Sequence, residues 1–346
     1  MQLTHLHIQN FKGIAQLDIP FLEEGTDRPR PLTMLLGDNG SGKTTVLQAV
    51  ALAMSLATRQ TLEPSRFGWT GFLPERVSSR GPTRVELDVR FEPDELVATQ
   101  ELFQQWLQAG SPGEHAPLPP PAHHAQVRLV YAGGGLSSPQ GLGALSQFLG
   151  RFFISALSQT QAHIRSSYLP RLGSTYWFDQ HRNLRTIGYG KLREYLVGWW
   201  GFHTSPRKTE ASDYLLRLET RFAEIFPGTR FVGVEPREVG QAPSAADSYF
   251  LIERDGRVYD LTEMSSGEQA IFPLLFEFVR LGIARSVVLI DELELHLHPP
   301  QQQVLISSLQ RIGPDCQFIV TSHSPYLETV TPSENEVRLP GGQPCL

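Results

Sequence analysis

The 346-residue sequence predicts an α/β fold: a mostly parallel sheet covered by helices, an N-terminal antiparallel part, and an inserted mixed, partly helical subdomain. Three observations predict it. Leu32–Leu36 is a short apolar run that ends at glycine, and Lys43–Ala57 follows with Val46, Leu47, Val50 and Met54 at helical spacing. The last third alternates strictly between helix Gly267–Leu281, strand Ser286–Ile290, helix Pro300–Ile312 and strand Gln317–Thr321. Its strands are continuous apolar runs, the mark of strands buried on both faces. Leu3–Ile8 and Arg84–Phe91 instead alternate apolar with polar residues, as half-buried strands do.

Between these regions, Pro93–Ala109 reads as a helix closing near Gly110. Residues Ser111–His124 (SPGEHAPLPPPAHH) support no regular element, because each proline lacks an N–H donor and fixes φ. Further strands are predicted at Val127–Tyr131, Thr175–Phe178, Phe231–Val234 and Tyr249–Ile252, and helices at Gly190–Trp200 and Ala211–Phe226. The pattern divides the chain into an N-terminal lobe (1–92), an inserted subdomain (93–247) with the Pro-rich loop at 111–124, and a C-terminal lobe (248–346). No internal repeat and no sustained heptad pattern occurs.

Composition narrows the class. Forty per cent hydrophobic and 19% charged residues describe an ordinary globular protein, and a net charge of -6 argues against a uniformly basic nucleic-acid coat. The charge is uneven: residues 151–209 carry nine cations (Arg151, Arg165, Arg171, Arg182, Arg185, Lys191, Arg193, Arg207, Lys208) against Asp179 and Glu194. Tyr168, Tyr176, Trp177, Tyr189, Trp199 and Trp200 are interleaved with them, so this segment is the candidate nucleic-acid contact. Cys316 and Cys345 are too few for a disulfide framework, which points to a reducing cytoplasm. No apolar run approaches the roughly 20 residues of a membrane span, and the N-terminus lacks the pattern of a secretory signal.

Four segments carry chemistry. Gly37-Asp38-Asn39-Gly40-Ser41-Gly42-Lys43-Thr44 fits a phosphate-binding loop and lies between a strand and a helix N-terminus, where backbone N–H groups and the helix dipole favour an anion. In such a loop Lys43 neutralises the β- and γ-phosphates, and the Thr44 hydroxyl ligates Mg2+. The strand Val287–Ile290 then delivers Asp291 and Glu292 to the sheet edge where ligands bind, one suited to the Mg2+ shell and the other to a general base. Met264-Ser265-Ser266-Gly267-Glu268-Gln269 opens a helix 24 residues before Asp291. It offers a second anion site, although a plain capping box built on Ser265 or Ser266 would look the same. Thr321-Ser322-His323-Ser324-Pro325 follows an apolar strand 32 residues beyond Asp291 and presents an imidazole able to sense a γ-phosphate.

Taken in chain order, the four segments resemble the Walker A, signature, Walker B and switch-histidine elements of the ABC-type ATPase superfamily. The finer resemblance is to its RecF/SMC/OLD-like branch, AAA-domain ATPases of DNA repair and phage defence. It is carried by Leu6-His7-Ile8-Gln9-Asn10-Phe11-Lys12-Gly13-Ile14, Gly37–Thr45, Ser265–Gln269, Asp291-Glu292-Leu293-Glu294-Leu295-His296-Leu297-His298-Pro299 and Thr321–Pro325, covering residues 1–57 and 257–330. The resemblance implies an ABC-type P-loop ATPase head using ATP and Mg2+. Gly37 to Thr45, with Ser265, Gly267 and Glu268, would bind nucleotide, and Lys43, Glu292 and His323 would be catalytic. Thr44, Asp291 and Gln180 would serve the metal, with Gln159 and Gln161 as rivals to Gln180, and Lys12 would approach the nucleotide. It also implies a head dimer formed on ATP, in which Ser265 and Gly267 act on nucleotide held by the other copy.

His296 and His298 lie two apart without a further ligand, so a metal site there is set aside. The stretch between Thr44 and Ser265 lacks the heptads of SMC arms. Only 23 residues follow His323, so a TOPRIM nuclease domain is not expected, and a separate effector, nuclease or toxin, is. The competing classes are an ABC transporter nucleotide-binding subunit, disfavoured by the irregular insertion, and a non-hydrolysing ATP-dependent scaffold, disfavoured by Glu292.

Overall fold

The computed structural model describes residues 1–69, 72, 81–110, 118–158, 163–179, 189–209, 212–237, 247–295 and 297–340. The chain opens on β1 (Gln2–Phe11) and β2 (Ile14–Pro20), joined by a turn in which Lys12 takes a left-handed φ of 51°. Then come β3 (Leu32–Leu36), α1 (Lys43–Ala57), β4 (Arg84–Arg90), α2 (Pro93–Gln108), β5 (Gln126–Ala132) and β6 (Gly135–Ser137). Short helices α3 (Leu142–Ser146), α4 (Gly150–Leu157) and α5 (His163–Tyr168) precede β7 (Thr175–Phe178), α6 (Tyr189–His203) and α7 (Tyr214–Ile225). The strands β8 (Thr229–Pro236), β9 (Ser248–Arg254) and β10 (Arg257–Asp260) lead to α8 (Ser266–Leu281), β11 (Val287–Ile290), α9 (Pro299–Ile312), β12 (Gln317–Thr321), α10 (Pro325–Val330) and β13 (Glu336–Arg338). Each element read from the sequence is present within three residues of its expected bounds. The strands β2, β6, β10 and β13 and the short helices were not expected from the sequence.

Two compact units result, one of residues 1–179, 284–293 and 315–346, the other of 180–283 and 294–314. These boundaries differ from the expected 1–92, 93–247 and 248–346. Hydrogen-bonded ladders are the reason. β5 pairs with β4 from Arg84↔Ala132 to Arg90↔Gln126, and β7 pairs with β11 from Val287↔Thr175 to Ile290↔Phe178, so residues 93–179 stay with the first unit. The helix α8, expected in the C-terminal lobe, falls in the second unit.

The first unit contains an antiparallel sheet of order β2-β1-β4-β5-β6 and an all-parallel sheet of order β13-β3-β12-β11-β7. One core joins them through α1, whose Val46, Leu47, Val50 and Leu52 pack with Leu6 and Val85 of the first sheet and with Leu35, Leu289 and Ile319 of the second. Nearly the whole length of α1 is buried, including Ala49, Ala51 and Ala53, as a helix enclosed on all sides requires. The strands β11 and β12 are buried at every position, which accounts for their unbroken apolar runs.

The second unit holds α6 to α9 and a three-stranded sheet of order β10-β9-β8. Its core is aromatic: Phe222 of α7 meets Phe272 of α8 edge-on at 5.4 Å, and Phe231 meets Phe250 at 5.2 Å. Beside it, Arg193 of α6 and Asp260 form an ion pair with both side chains almost fully buried. Asp260 also accepts from the N–H groups of Phe250 (3.0 Å) and Thr262 (3.1 Å) and from the Thr262 hydroxyl (2.6 Å). Burial pushes the Asp260 carboxyl up, but the bonds from Thr262 and Phe250 and the charge of Arg193 outweigh it and leave its pKa below 3.8.

Arg193→Ala strands that carboxylate and destabilises the second unit by about 3–5 kcal/mol, read by urea denaturation at pH 7. Because the folded pKa of Asp260 lies below its unfolded value, its stabilising contribution is complete above pH 3.8 and is lost as pH falls through the lower folded value. The stability gap between the parent and Asp260→Asn is therefore full at neutral pH and closes only in that acid window. A gap that instead opened on acidification would reject the ionised pair.

Candidate functional site

The order β3-β12-β11 sets three strand ends side by side at one edge of the parallel sheet. From β3 leaves the loop Gly37–Gly42; from β12, Ser322-His323; from β11, Asp291-Glu292. Residues Asp38, Asn39 and Gly40 at the loop crest are exposed. Gly42 caps α1 with φ 95°, and a Cβ there would lie 3.2 Å from the Ile14 side chain; one at Gly37 would lie 2.7 Å from the Ser41 hydroxyl. Only glycine meets both demands.

Lys43, buried at the first turn of α1, donates from Nζ to the carbonyls of Gly37 (2.6 Å) and Asp38 (3.0 Å). Among the described residues no carboxylate pairs with it, so its charge rests on dipoles alone. The buried Ser41 hydroxyl has no hydrogen-bond partner among the described residues. A buried cation held only by carbonyls, an unused hydroxyl and a helix N-terminus form a donor set that fits an anion such as phosphate.

Thr44 Oγ1 lies 3.1 Å from both Oδ1 and Oδ2 of Asp291, residues 247 apart in sequence. Asp291 is buried at the end of β11, and its Oδ1 also accepts from the Thr321 hydroxyl at 2.6 Å. Together they are the hard oxygen donors that a small divalent cation takes. Glu292 follows, part-exposed, with φ 47°, a left-handed conformation uncommon outside glycine. Its N–H donates to Thr321 Oγ1 at 2.8 Å. The structure thus brings Lys43, Thr44, Asp291 and Glu292 to one sheet edge, as the sequence implied. His323 is at the same edge and exposed, with Ser322 buried before it, and Thr45 lies part-buried on the first turn of α1. Lys12 donates to Gln48 of α1 at 2.7 Å, one turn beyond Thr44, and burial pushes its ammonium pKa down. The Thr321 hydroxyl had no role expected from sequence; a hydroxyl closing a buried strand beside the carboxylate strand was the available signal.

Gln180, Gln159, Gln161 and His296 lie outside the described residues. His298 caps α9, its N–H donating to Gln301 Oε1 at 3.0 Å.

In the second unit, Ser265 and Glu268 form a reciprocal capping box at the start of α8. Glu268 Oε2 accepts from the Ser265 N–H and hydroxyl, both at 2.7 Å, and Oε1 accepts from the Tyr259 hydroxyl (2.8 Å) and from Arg254 (3.3 Å). Glu268, read from sequence as nucleotide-binding, is buried with both oxygens engaged inside its own unit. It holds the turn rather than facing solvent. Burial raises its pKa, but the bonds from Ser265 and Tyr259 prevail and leave it below 4.5. Ser265 is exposed and Gly267 part-exposed.

Among its described residues, the basic segment proposed as a nucleic-acid contact has several cations and aromatic rings engaged within the fold. Arg151 is spent on the Leu172 carbonyl (2.9 Å) and the Tyr176 hydroxyl (2.6 Å), Arg171 on Asp94 (2.9 Å) and Glu101 (3.0 Å), and Arg193 on Asp260. Trp177 packs on Trp69 at 5.4 Å, and Trp199 on Phe276 at 5.1 Å. Arg165, Lys191, Arg207 and Lys208 remain exposed, while Arg182 and Arg185 lie outside the described residues. Cations consumed by internal carboxylates and carbonyls release no counterions on binding.

Residues 143–328 match the family described as "AAA domain, putative AbiEii toxin, Type IV TA system", and residues 5–100 a second family described as "AAA domain". The chain is 24% identical to Septu protein PtuA of Bacillus mycoides (strain KBAB4) over 93% of its length and 38% of that protein. It is 25% identical to an OLD nuclease of Thermus scotoductus (strain ATCC 700910 / SA-01) over 95% of its length and 60% of that protein. The chain thus spans less than two thirds of either relative. Among solved structures, the SMC head domain from Thermotoga maritima aligns over 95% of this chain and 92% of that one, with 15% identity and a TM-score of 0.48. Among the described residues no helix is long and apolar enough to cross a membrane.

Gly42→Ala forces a side chain into the left-handed cap, a cost of about 1–2 kcal/mol. It lowers nucleotide affinity about tenfold, read by displacement of a fluorescent nucleotide; unchanged affinity would show that the loop does not close on phosphate.

Proposed function

The chain belongs to the AAA-domain family, and on this premise we propose that it is an ATPase acting as an Mg2+-dependent nucleotide switch of antiphage defence or DNA repair. One observation carries the reading: the Thr44 hydroxyl stands 3.1 Å from both oxygens of Asp291, uniting a phosphate loop with a strand-end carboxylate. Lys43 neutralises the phosphates, exchanging its two loop carbonyls for phosphate oxygens. Thr44 and Asp291 would hold Mg2+, which would supply charge neutralisation at the β- and γ-phosphates. Glu292, part-exposed beside Asp291, accepts a proton from the attacking water, and His323 contacts the γ-phosphate.

Ser265 and Gly267 bind nucleotide held by a second copy, so ATP joins two heads and hydrolysis parts them. This state change controls a separate effector, nuclease or toxin. The defence setting is supported by the likeness to Septu protein PtuA and to an OLD nuclease.

Lys43→Ala abolishes ATP binding, whereas Glu292→Gln keeps binding within about threefold and lowers turnover at least about a hundredfold, within the range a general base contributes. Equal turnover of Glu292→Gln and parent would remove Glu292 as the base. In light scattering, Glu292→Gln doubles in mass on adding ATP, and Ser265→Arg prevents it; a mass indifferent to ATP would count against the head dimer.

A further inference from the structure

We propose that Thr321 is a positioning residue for hydrolysis, coupling the two carboxylates of the site through one hydroxyl. The inference rests on the ATPase reading above and deepens it. Thr321 ends β12 and is fully buried. Its hydroxyl has a single proton, and Asp291 Oδ1, an acceptor, takes it at 2.6 Å. A lone pair on the same oxygen receives the Glu292 N–H at 2.8 Å. The Thr321 carbonyl receives the Leu293 N–H at 3.0 Å. Three consecutive residues beyond β11 are therefore held by one residue of its neighbour.

The parallel ladder explains why a hydroxyl is needed there. Pairing of β11 with β12 runs from Val287↔Gln317 to Ile290↔Val320, and beyond it the chain turns away through Glu292 with φ 47°. A left-handed non-glycine residue persists where its surroundings over-determine it. The Thr321 hydroxyl supplies that constraint by taking the N–H the ladder releases. Through its other bond it fixes the carboxylate that Thr44 also contacts. The base-bearing backbone and the metal-binding carboxylate thus share one anchor. His323 lies two residues further on, so movement of this strand end reaches both acids together.

The test is steady-state ATP hydrolysis, with fluorescent-nucleotide binding and thermal melting, on the parent, Thr321→Val and Thr321→Ser. Valine keeps the shape and removes the hydroxyl, while serine keeps the hydroxyl and removes the methyl. Expected is a fall in kcat of at least tenfold for Thr321→Val with KM and nucleotide affinity within threefold, a raised Mg2+ requirement, and recovery to within threefold of the parent in Thr321→Ser. Turnover of Thr321→Val within threefold of the parent overturns the inference, as does an equal fall in both variants. Should Thr321→Val not fold, Thr321→Cys, similar in size with a weak donor, is held to the same kcat-against-KM criterion. A parent that binds ATP without turnover sinks the ATPase reading and this inference with it; a parent that turns over beside an indifferent Thr321→Val sinks this inference alone.

Discussion

The contact between Thr44 and Asp291 is the constraint on which the rest of the first unit depends. It exists because β12 lies between β3 and β11, so chain segments far apart in sequence end at one sheet edge. The buried helix α1 carries Thr44 on its first turn and packs along its length against both sheets. Any shift of α1 relative to the parallel sheet would separate hydroxyl from carboxylate. Its enclosure by Leu6, Val85, Leu289 and Ile319 resists such a shift, since a close-packed interior has no slack to absorb it.

Within each unit taken by itself, the buried polar groups are of two kinds. Asp260 and Glu268 are buried, saturated with hydrogen bonds and depressed in pKa, and each fixes a turn of its own unit. Lys43 and Ser41 are buried with a weaker settlement: an ammonium on two carbonyls and a hydroxyl with no partner. Saturated groups build structure, whereas groups left short of partners at an open sheet edge keep capacity to bond elsewhere. That contrast sets Glu268 apart from Lys43, although sequence reading placed both at the nucleotide.

The same accounting applies to the basic segment. Arg151, Arg171 and Arg193 appeared as surface charge in the linear count, yet each has an internal partner from a distant stretch of chain. Charge counted along a sequence says how many cations exist, whereas exposure depends on which carboxylates and carbonyls the fold brings to them. A net charge of -6 already implied that many of these cations had acids available.

The elements and the phosphate loop were legible in the sequence because their causes are local. Unbroken apolar runs, helical spacing, and glycines where a left-handed cap and a close backbone approach are needed all act within a few residues. The adjacency of Asp291 and Glu292 to that loop followed from strand alternation. Tertiary structure alone decided the strand order, the unit boundary at residue 179, the engagement of Glu268 by Tyr259 and Arg254, and the bridge from Thr321 to Asp291 and Glu292. Each depends on hydrogen bonds and ladders between residues remote along the chain, and a spacing pattern holds no record of which remote groups meet.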